Sequence, residues 1–289
     1  MIFLLAINNK QLSAHNVFMT KPLFYRFFCF VLTVVSVLSS TFLLLGIAGK
    51  TEFSDNISYL SSYKDLPEKR KTIKTVWAKI GDNADACKVT LSGIPYSRDS
   101  AFYRDIKIVF DTPKETVYSP PVDYGYGADI ESFNFTSDNR QQIFYSASSG
   151  GSGGFGYYYV LDIKDGKVTI KFDYAEFVNE YTATYADNYV AKIYKSGREV
   201  VDFKIAVDQT SQKFWNAEGK YIGNDCPLVS DLNYVEPTYN YLDKRYRLNL
   251  WQKVTLFCQA DVAGYIITVK ALDESKPYSR DTFKGIYIA

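Results

Sequence analysis

An apolar run of 22 residues, Phe27 to Ala48, constrains this chain more than any other feature. Lys10, Lys21 and Arg26 precede it with no acidic residue among them, whereas Lys50, Glu52 and Asp55 follow it. Basic flanks stay in the cytoplasm, so everything after residue 48 is expected to cross the membrane. At 1.5 Å per residue the run would span roughly 33 Å, enough for a hydrocarbon core of about 30 Å. Thr33, Ser36, Ser39, Ser40 and Thr41 dilute it, however, and Gly46-Ile47-Ala48 places small residues where a signal peptidase would need them. A cleaved signal peptide and a retained anchor both fit, with either Met1 or Met19 as the start of the leader. The chain therefore divides into a cytoplasmic leader with signal or anchor (1–48), a polar tether (49–71) and an extracytoplasmic domain (72–289).

That domain reads as all-β. The chain has 25 Tyr and 20 Phe but two Met, a composition that favours strands over helices. Alternation dominates after residue 72. Ile106, Ile108 and Phe110 share one face of a strand, with Lys107 and Val109 on the other. Gly81-Asp82-Asn83-Ala84-Asp85, Lys164-Asp165-Gly166 and Ser196-Gly197 read as hairpin turns. Further strands are expected at 129–135, 142–147, 157–163, 167–173, 181–185, 188–195, 199–206, 248–258 and 264–272. Two short stretches, 54–72 and 226–233, are compatible with helix. A dozen or more short strands predict antiparallel sheets.

Several chemistries are excluded by absence. The one histidine, His15, precedes the apolar run, so no Ser-His-Asp triad, Cys-His pair or histidine-bound zinc is available to the exported part. Net charge is +1, from 33 basic and 32 acidic residues, with no basic face for nucleic acid. Cys87, Cys226 and Cys258 remain after export; one disulfide plus a thiol, or three small buried side chains, are both compatible with them. No Cys-x-x-Cys is present. Asp123, Asp129, Glu131, Asp162, Asp173 and Glu176 are dense enough for a glycosidase pair, although acids alternating on strands more often form a solvated face.

Ser148-Ser-Gly-Gly-Ser-Gly-Gly154 lies between two expected strands. A phosphate cradle would need a helix after it, and a strand follows instead. Gly150, Gly151, Gly153 and Gly154 are therefore read as a structural loop where backbones cross closely. Tyr124, Tyr126, Tyr157, Tyr158 and Tyr159 gather around it and form the candidate ligand-binding surface. Adjacent Tyr157, Tyr158 and Tyr159 point to alternate faces, so exposure of at least one, Tyr158 foremost, is expected.

The strings Tyr124-Gly-Tyr-Gly127, Phe133 to Asp138 and Ile143 to Tyr159 resemble those of bacterial secreted proteins with VCBS or FG-GAP-like repeats. The likeness continues through Tyr181 to Tyr189 and Gln252 to Tyr265. It implies propeller-like blades, or a sandwich of small antiparallel sheets, and no assigned activity. It also implies Asp-rich Ca²⁺ turns, but Asn134–Arg140 and Glu236–Arg245 are poor in carboxylates here, and hard cations need about six oxygen ligands. No cofactor is therefore expected, with Ca²⁺ disfavoured. The sequence-level expectation is an exported, non-catalytic envelope protein, secreted or membrane-anchored, binding a glycan or protein. A carbohydrate-active hydrolase is the alternative.

Overall fold

A computed structural model describes residues 69–288 except 82–84, 138, 210, 224–227, 257 and 274–281. The leader, the apolar run and nearly all of the tether lie outside the described residues, as does Cys226. Among the described residues, no helix is long and apolar enough to cross a membrane.

The described chain is all-β and antiparallel, with fifteen strands in three sheets. The first sheet takes eight strands: β1 (Lys71–Ile80), β2 (Asp85–Pro95), β3 (Phe102–Asp111), β4 (Thr116–Tyr118), β5 (Gly125–Ser137), β6 (Arg140–Ser148), β7 (Gly156–Lys164) and β8 (Lys167–Asp173). Their order is β1-β2-β3-β5-β6-β7-β8, with β4 folded back on β3. β9 (Tyr181–Ala186), β10 (Val190–Lys195) and β11 (Arg198–Lys204) make a three-stranded sheet. β12 (Leu228–Asn240), β13 (Arg245–Thr255), β14 (Val262–Lys270) and β15 (Thr282–Ile288) make a four-stranded one. None of the sheets closes into a barrel.

The large sheet curls until β1 packs near β5 and β6. Its inner face buries Val89, Leu91, Ile108, Phe110, Ile130, Ile143 and Leu161 in one core. The outer face of the same sheet presents Phe144, Tyr158, Val160 and Phe172 to Leu232, Val235, Leu248 and Leu250 of β12 and β13. Further along β13, Val254 joins Ala263 and Ile266 of β14 against Tyr181, Ala183, Ala191 and Ile193 of the three-stranded sheet. Residues two apart in a strand share a face, so one face of β13 serves both cores, Leu248 and Leu250 at one end and Val254 at the other.

The part of 226–233 that is described, 228–233, is strand and not helix, since β12 begins at Leu228. Register shifts between Val229 and Leu232, and between Leu232 and Tyr234, insert bulges into this strand. Buried Val229, Leu232 and Val235 therefore fall three apart, a spacing that mimics a helical face.

Candidate functional site

The glycine loop joins β6 to β7 and is closed by Ser149 N–H donating to the Phe155 carbonyl at 2.9 Å and Gly154 N–H to the Gly151 carbonyl at 3.0 Å. Gly150 sits at φ 75°, and a Cβ there would fall 2.3 Å from the Tyr126 ring, so only glycine permits that ring to lie over the loop. The carbonyls of this loop, not its amides, meet the rest of the protein. Lys253 Nζ donates to Gly153 O at 2.6 Å and to Gln259 O at 3.4 Å. Asn233 Nδ2 donates to Gly153 O at 3.1 Å and to Gly154 O at 2.9 Å. An anion cradle presents N–H groups, and this loop presents the opposite polarity to a buried ammonium.

The five tyrosines separate into two environments. Tyr124 and Tyr126 are 56% and 46% exposed, and each ring touches Phe102, at 5.8 and 4.9 Å between centroids. Tyr96, 46% exposed, adds a third edge-on contact to Phe102 at 6.1 Å. Sequence reasoning missed Tyr96 and Phe102, because the β2–β3 loop is far from the glycine loop in the chain. Tyr158, by contrast, is 6% exposed. The expectation that it would face solvent fails because the outer face of β7 is covered by β12, whose Tyr234 ring packs against it. Tyr159 is buried in the inner core, and half-buried Tyr157 packs on that core beside Tyr174.

Asp123 fastens the segment that leads into Tyr124. Its Oδ2 accepts hydroxyl hydrogens from Tyr159 at 2.6 Å and Tyr174 at 2.8 Å, while its carbonyl accepts from Tyr145 at 2.6 Å. Burial, and then the Asp123 carboxylate, push all three phenols well above their ordinary titration range. They stay protonated and act as donors.

The other candidate acids are also engaged. Asp162, fully buried, pairs with Arg140. Asp129 pairs with Lys74 at 2.8 Å, and Asp173 Oδ1 accepts the Ala175 N–H at 2.9 Å. Glu131 and Glu176 are exposed. Among the described residues no group of three or more His, Cys, Asp or Glu side chains is placed to hold a metal. Of the two cysteines described, neither is in a disulfide: Cys87 is buried and Cys258 exposed, the latter with Sγ 3.3 Å from Asp261 Oδ2.

The two turns weighed for Ca²⁺ do meet, since Asn134 Nδ2 donates to the Lys244 carbonyl at 3.1 Å. Arginine dominates the carboxylates there. Arg247 Nη2 donates to Asp243 Oδ2 at 2.6 Å, and Arg245 pairs with Asp273. Two adjoining cavities open at this end, of about 570 and 390 Å³, sharing Asn240, Leu242, Arg247 and Ala271 in their walls.

A family model described as the YybI C-terminal domain matches residues 179–283. The match begins just after the chain leaves the eight-stranded sheet and spans most of the two smaller sheets, β9 into β15. No curated protein and no solved structure matches the chain.

Proposed function

We infer that the chain is a non-catalytic protein of the cell envelope, exported and then released or held by residues 27–48, which binds a glycan or protein ligand. Its contact surface is the aromatic group Tyr96, Phe102, Tyr124 and Tyr126. One observation carries this reading: three exposed tyrosines surround a half-buried phenylalanine on a backbone held rigid from behind. The Asp123 hydrogen bonds fix the segment entering Tyr124, and the glycine loop supports Tyr126. Rigid tyrosines supply flat apolar area with a polar tip at a small entropic cost, which suits saccharides and protein partners.

The reading needs no cofactor and no nucleic acid. Layered sheets of unequal size favour a sandwich over repeated propeller blades as the scaffold. Likeness to VCBS and FG-GAP-like proteins enters the proposal only through its short strings, chiefly Tyr124–Gly127 and Ile143–Tyr159. Hydrolysis by paired carboxylates is the weaker reading, because Asp123, Asp129, Asp162 and Asp173 already hold structural partners.

The test is thermal unfolding of the full chain in mild detergent, across a panel of glycans and cell-envelope proteins, with EDTA and Ca²⁺ arms. A ligand bound only by the folded state raises the melting temperature by mass action. The expected result is a rise with one ligand class that Tyr126→Ala abolishes. Turnover of a glycosidic substrate, or a rise with Ca²⁺ alone, would overturn the reading.

A further inference from the structure

We propose that the cleft at the tip of the β12–β13 hairpin is a second binding site, built for an acidic saccharide. It is separate from the aromatic group at Tyr124 and Tyr126 and stands without it.

The larger cavity, about 570 Å³, falls within the range of roughly 300–1,000 Å³ of small-ligand pockets. Its walls divide by chemistry. Tyr239 and Tyr241 meet edge to face at 5.0 Å, and Tyr241 stays 84% exposed, leaving an open ring for a sugar to stack on. Tyr239 is braced by Tyr246 at 5.3 Å, so the platform is anchored to β13. Around it stand polar groups able to read hydroxyls: Thr238, Asn249 and Arg247. Asn249 is oriented by donating from Nδ2 to Thr238 Oγ1 at 2.8 Å, which turns its Oδ1 toward Lys284 Nζ, 3.5 Å away.

Charge selects an anionic ligand. Across the two cavities the described walls carry Arg245, Arg247 and Lys284 against Asp243 and Asp273. Both arginines are neutralised by those aspartates. Lys284 is in no ion pair with them and is exposed, so among the described wall residues its ammonium is the positive charge left over. A neutral sugar would use the tyrosine platform alone, whereas a sugar bearing carboxylate or phosphate would use the platform and the ammonium together.

Equilibrium binding of the full chain in mild detergent tests this with three probes: tetragalacturonate, a glycerol-phosphate tetramer and neutral cellotetraose. Either anionic probe binding more tightly than cellotetraose supports the site, and the tighter of the two tells carboxylate from phosphate. Tyr241→Ala and Lys284→Glu should each weaken that binding by roughly three- to tenfold. Both side chains are exposed, so the melting temperature should hold. Tyr124→Ala should leave the affinity unchanged, separating this site from the first. Equal affinity for all three probes, no binding of any, or binding indifferent to both cleft variants overturns the proposal.

Discussion

Lys253 Nζ lies 2.6 Å from the carbonyl oxygen of Gly153, a buried charged hydrogen bond between residues a hundred positions apart. It fastens the β6–β7 loop of the eight-stranded sheet to β13 of the four-stranded one. Lys253 is 7% exposed, so its charge is balanced by carbonyl dipoles rather than by water. Replacing Lys253 by Met keeps the stem and removes the donor, leaving Gly153 O to Asn233 alone. The expected loss is about 2 kcal/mol, the scale of a hydrogen bond to a charged group. In a domain of this size that lowers the melting temperature by about 4–8 °C. An unchanged melting curve would show the latch to be without energetic weight.

The buried pair of Arg140 and Asp162 should be far more sensitive to truncation than the surface pairs. Asp162 is fully buried and also accepts the Ile163 N–H at 2.8 Å. Asp162→Ala takes the buried carboxylate away from Arg140 and from the Ile163 N–H, and about 3 kcal/mol is expected to be lost. Lys74→Ala removes the partner of Asp129, and with both groups well exposed the change should stay under about 1 kcal/mol. Denaturant midpoints of the two variants check the ranking.

Stability should fall on the alkaline side. Burial, with Tyr234 alongside, pushes the Tyr158 phenol from 10.0 up to about 12. Burial, followed by the charge of Asp111, pushes the Cys87 thiol from 9.0 up to about 11. In both cases the folded chain holds the proton more tightly than the unfolded one, so unfolding releases protons between the two values. The contribution is complete below the unfolded pKa and is lost as pH rises through the folded one. Unfolding free energy measured at pH about 8 and about 11 should decline, with tyrosinate absorbance lagging until the chain opens. A flat profile would contradict the buried environments of both groups.

Two neighbouring glycines should respond differently to alanine. At Gly125 a Cβ would lie 2.5 Å from the Ser148 carbonyl oxygen, a backbone atom with no freedom to retreat. At Gly127 the space is open, and the sole penalty is its φ of 58°. Gly127→Ala should cost about 1 kcal/mol, and Gly125→Ala more, up to about 3 kcal/mol as β5 and β6 are forced apart. Equal effects in chemical denaturation would mean the two strands separate more readily than the contact implies.

Local chemistry was the most legible part of this protein. Lys164-Asp165-Gly166 turns β7 into β8 with Lys164 opposite Lys167, and alternation at Ile106, Ile108 and Phe110 places all three in the inner core. The short β4 and the late β15 were missed. β15 interrupts its alternation with Gly285, next to a register shift in its pairing with β14. Tyr158 shows where periodicity stops being informative. Alternation says that it faces away from Tyr157 and Tyr159, but a second sheet covers that face, and no local signal carries that news. The cleft at Tyr239 and Tyr241 was invisible for the same reason, since its walls come from both ends of the four-stranded sheet. What the sequence did offer was two turns poor in carboxylates, and their meeting through Asn134 and Lys244 marks the place.

Neighbours in each sheet are neighbours in the chain, apart from the small detour through β4. Among the described strands each sheet is complete before the next one starts, so none of them waits for a partner made much later. Mostly local pairing lowers the entropy spent on loop closure and speeds folding. A chain emerging N-terminus first through a narrow exit would therefore assemble the eight-stranded sheet early. Its outer face, with Phe144, Tyr158 and Phe172, would then stay bare until β12 and β13 arrive. That interval is the moment when the young protein is most prone to stick to others, and its length is set by the speed of delivery.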